Sequence, residues 1–389
     1  MAHNVVRFGE ALLSVLALCG IGYYVLCLWS ARTFLRDWSR ATLDKSFTPP
    51  VSILKPLRGT DRQMYESFRS HCLQDYPEYE IIFGVSDAED PAIELVNWLR
   101  QEFPERRIEL VVCSDLLGTN IKVSNLVQML PHARYQHLIV NDSDIRVGRD
   151  YLRRVLAPFA DPRVGMVTTM YRGMAGSTLG SKLEAVGIST DFAAGVLAAR
   201  QLEGIRFALG STLAFTRTSL AAIGGFEPLL DYLADDFELG ARIAAANFQV
   251  LMSDVVVDTF LPDYGFRAYW DHQLRWARST RDSRRWGYLG VALTFGLPWA
   301  LLAVLLAGGA GWSLALLGAT AAIRYTMAIV VGQRVLRDPQ IPGDLWLLPL
   351  RDVLALLIWI AAYAGHTVAW RGDEFILKDG KLRPAAEAE

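Results

Sequence analysis

Four polar clusters occur in a fixed order in the middle of the chain, and their residue types suit one kind of chemistry. They are Val85-Ser86-Asp87, Asn141-Asp142-Ser143-Asp144, Ala234-Asp235-Asp236 and His272-Gln273-Leu274-Arg275-Trp276. Carboxylates can bind a nucleotide, hold a divalent cation and remove a proton, while arginine and tryptophan can bind a diphosphate and cover a sugar. In this order the clusters indicate an enzyme that transfers a sugar from a nucleotide.

Short apolar runs that precede the first two clusters predict the strands that position them. Four β-branched runs stand out, at residues 51–54, 80–85, 108–112 and 137–140. Longer segments separate them, and residues 91–103 carry an apolar stripe at helical spacing. Alternating strands and helices predict an α/β domain with a mostly parallel sheet. Ligands bind beyond the carboxyl ends of such strands, so Asp87, Asp142 and Asp144 are expected to converge there.

Asp142 and Asp144 stand on alternate residues at a predicted strand end. This spacing can hold a hard divalent cation, Mg²⁺ or Mn²⁺, between the protein and a diphosphate. The alternatives are an Asx turn that caps the next segment and, for Asp144, direct hydrogen bonds to the sugar. The position after an apolar strand favours the metal.

Three further residues are predicted to bind the nucleotide sugar together with Asp142. Pro56 lies in the 54–59 loop, which could wall a nucleotide pocket. Asp87 could accept hydrogen bonds from uracil or ribose, or cap the helix that follows Pro91. Lys122 could neutralise a diphosphate, although a solvated surface lysine is the alternative.

Asp235 and Asp236 directly precede a predicted helix. One of the two is expected to cap that helix. The other is then available to face the cleft, where a carboxylate can act as the base beside an acceptor hydroxyl.

His272 shares a predicted helix face with Arg275 and Trp276, which follow at spacings of three and four residues. These side chains could form a cationic and aromatic lid over the donor. Arginines and aromatic residues alternate between residues 264 and 286, so the same segment could lie along lipid headgroups. The two interpretations are compatible.

Apolar segments flank this central region. Residues 11–29 are uncharged and close to the roughly 20 residues that cross a bilayer, and an uncleaved anchor is favoured over a signal peptide. Further apolar segments lie at about 287–310, 313–332 and 345–368. The predicted organisation is an anchor at 1–31, a catalytic domain at 49–286 that ends in an interfacial segment, about three transmembrane helices at 287–369, and a tail at 370–389.

Basic residues predict the orientation of the chain in a membrane. Arg32, Arg36, Arg40 and Lys45 follow the first apolar segment, whereas only Arg7 precedes it. The positive-inside tendency therefore places the central region in the cytoplasm.

Charges inside the later apolar segments, and the overall charge, restrict the function further. Arg324, Arg351 and Asp352 are costly in lipid and are expected to face protein, water or a headgroup. The formal net charge of -2 gives no reason to expect nucleic-acid binding. The four cysteines show no metal-binding spacing.

The quoted motifs resemble those of ceramide glucosyltransferases and their bacterial relatives. Residues 51–59, 87–93, 142–147, 235–236 and 275–276 carry the resemblance. Within that group, residues 122–126, 142–147, 233–236 and 272–278 are most similar to hopanoid-biosynthesis glycosyltransferases, which the family implies transfer N-acetylglucosamine from UDP-GlcNAc to bacteriohopanetetrol.

The resemblance implies a GT-A fold, a divalent metal, inversion at the anomeric carbon and a multi-pass protein of the bacterial inner membrane. It makes Asp236 the base, Asp87 the first motif aspartate, and Asp142 and Asp144 the metal site. His272 departs from the broad pattern, which begins the last motif with Gln or Arg.

Other functions remain open. A ceramide glucosyltransferase that uses UDP-glucose is the first alternative. A processive polysaccharide synthase is disfavoured by His272 and the few predicted spans. A transporter or scaffold with an inactive transferase domain is the alternative from another class.

Overall fold

The computed structural model describes residues 2–40, 44, 46–365, 367–370 and 373–384. The strands are β1 (Val51–Leu57), β2 (Tyr79–Val85), β3 (Arg107–Val112), β4 (His137–Val140), β5 (Ile145–Arg146), β6 (Val164–Met174), β7 (Leu213–Thr216), β8 (Gln249–Phe260), β9 (Thr367–Trp370), β10 (Asp373–Lys378) and β11 (Lys381–Pro384). The helices are α1 (Ala2–Arg40), α2 (Met64–Cys72), α3 (Ala92–Glu102), α4 (Ile121–Met129), α5 (Tyr151–Leu156), α6 (Leu179–Gly187), α7 (Ala193–Glu203), α8 (Arg217–Ala222), α9 (Asp235–Ala245), α10 (Phe266–Ser283), α11 (Arg285–Gly290), α12 (Gly296–Leu306), α13 (Gly311–Ile329), α14 (Ile341–Asp344) and α15 (Leu348–Ala361).

The first eight strands form one sheet in the order β3-β2-β1-β4-β7-β6-β8-β5. β1 pairs in parallel with β2 and β4, β2 with β3, and β6 with β8, whereas β7 and β5 run antiparallel to their neighbours. The four predicted strands and their parallel pairing are confirmed. The chain continues from β1 to β2 on one side, while β4 joins β1 on the other. Such a reversal of strand order opens a crevice at the carboxyl ends.

Both faces of this sheet are covered, which explains why its strands are almost continuously apolar. In β1, Ile53 belongs to one apolar cluster, with Ile81 and Phe83, while Leu54 belongs to the other. Successive side chains of a strand point to opposite faces, so helices bury each face separately.

The described chain divides into two compact units. The sheet unit comprises Arg40–Gly176, Glu203–Pro262 and Gly380–Glu389, and the helical unit comprises Met1–Ser39, Ser177–Leu202 and Asp263–Asp379. The predicted catalytic domain at 49–286 is therefore not one compact unit. Its residues 177–202 and 263–286 belong to the helical unit, where α6 and α10 bury apolar side chains in a cluster shared with α15.

Two helices are long and apolar enough to cross a membrane, His3–Ser39 and Gly311–Val335, in the part of the chain that the structure describes. Arg285–Thr294 and Gly296–Leu306 together would make a third, but they are bent by 54°. Prolines and glycines are frequent causes of such breaks, and the second half begins with Gly296 and has Pro298 as its third residue.

The last predicted transmembrane segment, at 345–368, differs from expectation. It contains α15, whose 14 residues are fewer than the roughly 20 needed to span a bilayer. Leu354 and Ile358 of α15 are buried with side chains of α6, α10 and α13, whereas Leu350, Leu357 and Ile360 are exposed. In the predicted tail, residues 373–384 include β10 and β11, while residues 385–389 lie outside the described residues. Lys45, which entered the prediction of membrane orientation, also lies outside the described residues.

The charges of the apolar segments face protein, as predicted. Arg324 of α13 and Asp352 of α15 form a bidentate ion pair with N to O distances of 2.8 and 2.7 Å. Arg324 also donates to the Thr190 carbonyl oxygen at 3.0 Å, and Arg351 donates to Asp191 Oδ2 at 3.1 Å. Each of these charged groups therefore has an ionic partner inside the helical unit.

Candidate active site

Asp142 is fixed from the neighbouring strand by a buried lysine. Lys55 lies in β1, its side chain is inaccessible to solvent, and its Nζ donates to the Asp142 carbonyl oxygen at 2.9 Å. Burial lowers the pKa of Lys55 to about 7, although the carboxylates of Asp144 and Asp142 oppose this shift. The contact is possible because β1 and β4 are adjacent and parallel, with Leu54 opposite Val140.

Asn141 connects the end of β4 to the loop that precedes β7. Its buried Nδ2 donates to the Ser211 carbonyl oxygen at 2.7 Å and to the Tyr151 hydroxyl at 3.0 Å. The loop thereby brings Gly210 against two carboxylates. A Cβ atom on Gly210 would lie 3.1 Å from Asp236 Oδ2 and 3.4 Å from Asp142 Oδ2.

Lys122 joins the second and third sequence clusters. Its Nζ lies 2.8 Å from Asp142 Oδ1 and 3.3 Å from Asp235 Oδ2. Burial would lower the pKa of Lys122, but the carboxylates of Asp142 and Asp235 outweigh it and hold the pKa above its usual value. The alternative of a solvated surface lysine is therefore wrong, because this ammonium group lies among carboxylates at the start of α4.

Asp235 is anchored, whereas Asp236 faces Gly210. Asp235 is 9% exposed, and its Oδ1 lies 3.4 Å from the Nδ2 of Asn120. Asn120 also caps α4, because its Oδ1 accepts from the Val123 N–H at 3.2 Å. One side chain thus connects the start of α4 to the start of α9.

The expectation that one of these aspartates caps the following helix is wrong. Both are residues of α9 itself, and the cap position is Ala234, which has no side-chain cap. Asp236 instead accepts from the neighbouring Phe237 N–H at 2.8 Å. A first-turn carboxylate also benefits from the helix dipole. Close packing at Gly240 positions α9, since a Cβ atom there would lie 2.4 Å from the Ala208 nitrogen.

Burial and the mutual repulsion of carboxylates raise pKa values in this cluster. Burial, and then the charge of Asp142, raise the pKa of Asp144 to about 6, although Thr259 donates a hydrogen bond to Asp144. Burial, and then the charge of Asp235, likewise raise the pKa of Asp236 to about 6. The cluster contains four aspartates, Asp142, Asp144, Asp235 and Asp236, but only two lysines, Lys55 and Lys122. Its net charge is therefore negative, and it can bind a further cation.

Asp142 and Asp144 could hold a divalent cation whose remaining coordination positions are filled by a bound ligand. Within the described residues, no group of three or more His, Cys, Asp or Glu side chains could enclose a metal ion. Asp142 and Asp144 supply hard oxygen donors, and Asp142 Oδ2 is not the atom that pairs with Lys122. Diphosphate oxygens and water are the usual remaining ligands where proteins bind Mg²⁺ through one or two carboxylates.

A cavity of about 340 Å³ lies in the sheet unit beside the start of α4. It is lined by Arg58, Ser86, Asp87, Glu89, Asp90, Pro91 and Ile121. Asp87 is exposed and accepts from the Glu89 N–H at 2.9 Å, while Asp90 accepts from the Ala92 N–H at the start of α3. Asp90, and not Asp87, therefore holds this helix terminus.

The 54–59 loop contributes to the cavity through a different residue from the one predicted. Pro56 lies within β1, opposite Gly84, and is not among the lining residues. Arg58, two residues further on, is exposed and lines the cavity.

His272, Arg275 and Trp276 all lie on α10, in the helical unit. The rings of His272 and Trp276 are 5.0 Å apart, which confirms that these two residues share a face of α10. Trp276 also lies 6.4 Å from the Phe192 ring.

Two other arginines of this segment bind backbone carbonyl groups of the helical unit. Arg278 donates to the Ala364 carbonyl oxygen at 2.7 Å, and Arg281 donates to that of Gly365 at 3.0 Å, just beyond α15. Arg281 also donates to the carbonyl oxygen of Ala362, at the end of α15, where a helix leaves carbonyl groups unpaired.

Comparison with known proteins shows the family to which this chain belongs and its fold. Residues 12–383 match the family model described as glycosyl transferase family 21. The chain belongs to this family. It is 23% identical over 261 residues to ceramide glucosyltransferase 3 of Caenorhabditis elegans, covering 66% of this chain and 57% of that protein. It is 27% identical over 206 residues to ceramide glucosyltransferase 1 of the same organism, covering 53% and 44%. The chain thus spans about half the length of these curated relatives.

A solved structure shows the same architecture as this family 21 protein. The mannosyltransferase PcManGT from Pyrobaculum calidifontis, in complex with GDP-Man and Mn²⁺, superposes with a TM-score of 0.59. The two are 22% identical, and the match covers 90% of this chain and 99% of that one. The family 21 chain therefore has a GT-A-like glycosyltransferase fold.

Sequence reasoning missed several residues of the family 21 site. Lys55 had a usable signal, since a lone lysine inside an apolar strand must find carboxylates. Asn120 and Thr259 had none, because their partners Asp235 and Asp144 are 115 residues away in each case. Gly210 had no signal in the sequence either, because its role depends on the carboxylates of Asp236 and Asp142 that the fold places beside it.

Proposed function

We propose that this chain is a membrane glycosyltransferase that transfers one sugar from a UDP-sugar to a lipid hydroxyl, with inversion. The observation that carries the proposal is the arrangement around Lys122, which holds Asp142 and Asp235 while Asp142 and Asp236 both face Gly210. A group for the donor diphosphate and a candidate base thus lie in one cluster. The ordered motifs and the family membership support the same assignment.

Asp236 is the proposed base. It is one of the two carboxylates that face Gly210, and its raised pKa, about 6, makes it more basic than an ordinary aspartate yet still ionised at neutral pH. Asp236 takes the proton of the acceptor hydroxyl while the oxygen of that hydroxyl bonds to the anomeric carbon. The bond from that carbon to the diphosphate breaks on the opposite side, and UDP leaves with the electron pair. A single displacement of this kind inverts the configuration.

Asp142 and Asp144 would hold the divalent cation. When bound, the cation neutralises charge that develops on the leaving diphosphate. Lys122 adds a positive charge beside it, and Lys55 fixes the Asp142 backbone. The similar fold of a mannosyltransferase solved with Mn²⁺ supports this part of the proposal. Asp87 and Arg58 line the cavity proposed for the uridine. Arg275 and Trp276 keep the catalytic role that the sequence motif proposes for them.

The proposed substrates are UDP-GlcNAc and bacteriohopanetetrol, which the motifs at 122–126 and 272–278 support through their resemblance to hopanoid-biosynthesis enzymes. Ceramide and UDP-glucose are the second candidate pair, because the curated relatives are named ceramide glucosyltransferases. The proposed location is the bacterial inner membrane. The arginines that follow the first span support a cytoplasmic sheet unit.

Labelled UDP-sugars test the proposal directly. Purified protein in lipid receives UDP-GlcNAc or UDP-glucose, a divalent cation, and either the hopanoid tetrol or ceramide. One discrete labelled lipid is expected, and the productive pair names the substrates. Polydisperse, water-soluble product would indicate a polymer synthase. No labelled product from any donor would refute the proposal.

The Asp236→Asn variant separates the enzyme from a transporter or scaffold. We expect it to bind UDP and to unfold like the wild type, but to lose transfer. If cells that carry this variant keep the protein's normal role, the enzymatic function is not the relevant one. A lipid profile of cells that lack the protein provides the independent comparison.

A further inference from the structure

His272 is hydrogen-bonded to a buried carboxylate that belongs to none of the sequence clusters. Its Nδ1 lies 3.1 Å from Oε2 of Glu184, on α6, and both residues belong to the helical unit. We propose that Glu184 is a positioning residue, which fixes the tautomer of His272 so that Nε2 accepts a hydrogen bond from a substrate hydroxyl. The proposal deepens the function proposed above and rests on it.

The environment of Glu184 shows that it is not a solvated surface residue. Its side chain is 2% exposed, and its neighbours Leu183 and Val186 are buried with Tyr269 of α10. A buried glutamate is rare unless it is paired, because removing its charge from water is costly. His272 is the partner that the fold provides.

The hydrogen bond decides which ring nitrogen carries the proton. An ionised carboxylate can only accept, so Nδ1 of His272 must donate to Glu184. In the neutral ring, Nε2 then has a lone pair and no hydrogen. Among the described residues, no donor reaches Nε2 of His272. The pair therefore presents a hydrogen-bond acceptor, which is the group that a hydroxyl can donate to.

The ring is held in place from two further sides. Tyr264 packs edge-on against His272, with ring centroids 6.2 Å apart and planes at 72°, and Trp276 packs at 5.0 Å. The His272 side chain nevertheless keeps 26% of its exposure, so the imidazole is oriented but remains accessible. An oriented and accessible acceptor suits ligand recognition better than core packing.

Tyr264, which packs against His272, has an unsatisfied polar group of its own. Its phenolic oxygen is buried and has no hydrogen-bond partner within the described part of the chain. A buried hydroxyl left unpaired costs about 1–3 kcal/mol. A ligand hydroxyl can donate to His272 Nε2 and still accept a hydrogen bond from another donor. The chemistry points to a polyhydroxylated ligand, which describes both a sugar and a polyol lipid head.

Two histidine variants test the acceptor role. Glutamine can accept through its amide oxygen, whereas arginine can only donate. We expect His272→Gln to retain turnover within about tenfold of the wild type, and His272→Arg to lose at least about a hundredfold in kcat/KM, as expected when an oriented polar contact is removed. Equal activity of the two variants would overturn the acceptor role.

Kinetics of Glu184→Ala then identify which hydroxyl is bound. A rise of about tenfold or more in KM for the lipid, with KM for the donor unchanged, assigns the hydroxyl to the acceptor. A rise in KM for the donor, with KM for the lipid unchanged, assigns the hydroxyl to the sugar. Glu184→Asp, which keeps the carboxylate, should recover part of the loss. Glu94→Gln removes an exposed carboxylate from α3 and is the matched control. Unchanged values of both KM and kcat in Glu184→Ala would refute the proposal.

A measurement that needs no turnover separates this proposal from the proposed function. In protein labelled with ¹⁵N-histidine, ring nitrogen shifts report the tautomer, and His272→Gln assigns the signal. The wild type should show the Nδ1–H form when the ring is neutral, and Glu184→Ala should lose it. An Nδ1–H signal in protein that transfers no sugar would leave the pairing standing and reject the function. An Nε2–H signal in the wild type would reject the pairing.

Discussion

The ammonium group of Lys122 lies 2.8 Å from Oδ1 of Asp142, and the same group reaches Asp235 at 3.3 Å. Two segments that are distant in sequence are thus joined by one positive charge. Lys122→Met should lower kcat/KM by at least about a hundredfold, because the carboxylates lose their counter-charge and the diphosphate loses a cation. Steady-state kinetics with saturating donor check this.

Stability should respond much less than activity in Lys122→Met. The Asp142 side chain is 41% exposed, so solvent screens its charge in the variant, and the 12% exposed Asp235 side chain keeps its hydrogen bond from Asn120. Lys378→Met, at an exposed lysine of β10, is the control and should retain full activity. A variant that stays active but unfolds more easily would show that Lys122 is structural only.

Gly210 should tolerate no side chain. In Gly210→Ala the methyl group would lie 3.1 Å from Asp236 Oδ2 and 3.4 Å from Asp142 Oδ2. We expect kcat to fall about tenfold, because Asp236 Oδ2 must move by a few tenths of an ångström and catalysis depends on the position of such groups. Gly318→Ala, which meets open space in α13, should be silent. Full activity of Gly210→Ala would mean that the two carboxylates do not act at this point.

Asp144 should couple nucleotide binding to the divalent cation. Calorimetry should show wild-type UDP affinity falling at least about tenfold when EDTA removes the cation, since a cation bridges carboxylate and phosphate oxygens. Asp144→Asn should bind UDP weakly with or without the cation. Asp75→Asn, at an exposed aspartate, should behave like the wild type. A cation effect that persists in Asp144→Asn would place the metal elsewhere.

The pair of Arg324 and Asp352 should be essential to the helical unit but replaceable as a pair. Arg324→Met leaves Asp352 buried without its partner and should destabilise the protein by about 3–5 kcal/mol. Arg324→Met combined with Asp352→Leu should recover most of that loss. Denaturant unfolding in detergent micelles measures both, and equal stability of the single variant and the wild type would contradict the prediction.

Local patterns predicted those parts of the structure that depend on local geometry. β1, β2, β3 and β4 were recognisable because burial on both faces of the sheet makes them almost continuously apolar. The shared face of His272 and Trp276 follows from helix spacing alone. The strand-end positions of Asp142 and Asp144 follow from the β4 run.

Tertiary contacts determined the rest. The partner of His272 lies 88 residues away on α6, and the Lys122 contacts depend on which strands are neighbours. Hydropathy also does not distinguish a membrane span from a helix that is apolar because it is buried. The α15 segment shows the difficulty, because Arg351, Asp352 and Leu354 are buried in protein while Leu350, Leu357 and Ile360 are exposed.

The distances in sequence between the residues of the charged cluster have a consequence for folding. Lys55 meets Asp142 across 87 positions, and Asn120 meets Asp235 across 115. Loop closure over such lengths opposes early formation of these contacts. UDP binding should therefore appear only in the last phase of refolding, after the sheet has assembled. Nucleotide affinity can serve as a reporter of complete folding, which partly folded protein cannot imitate.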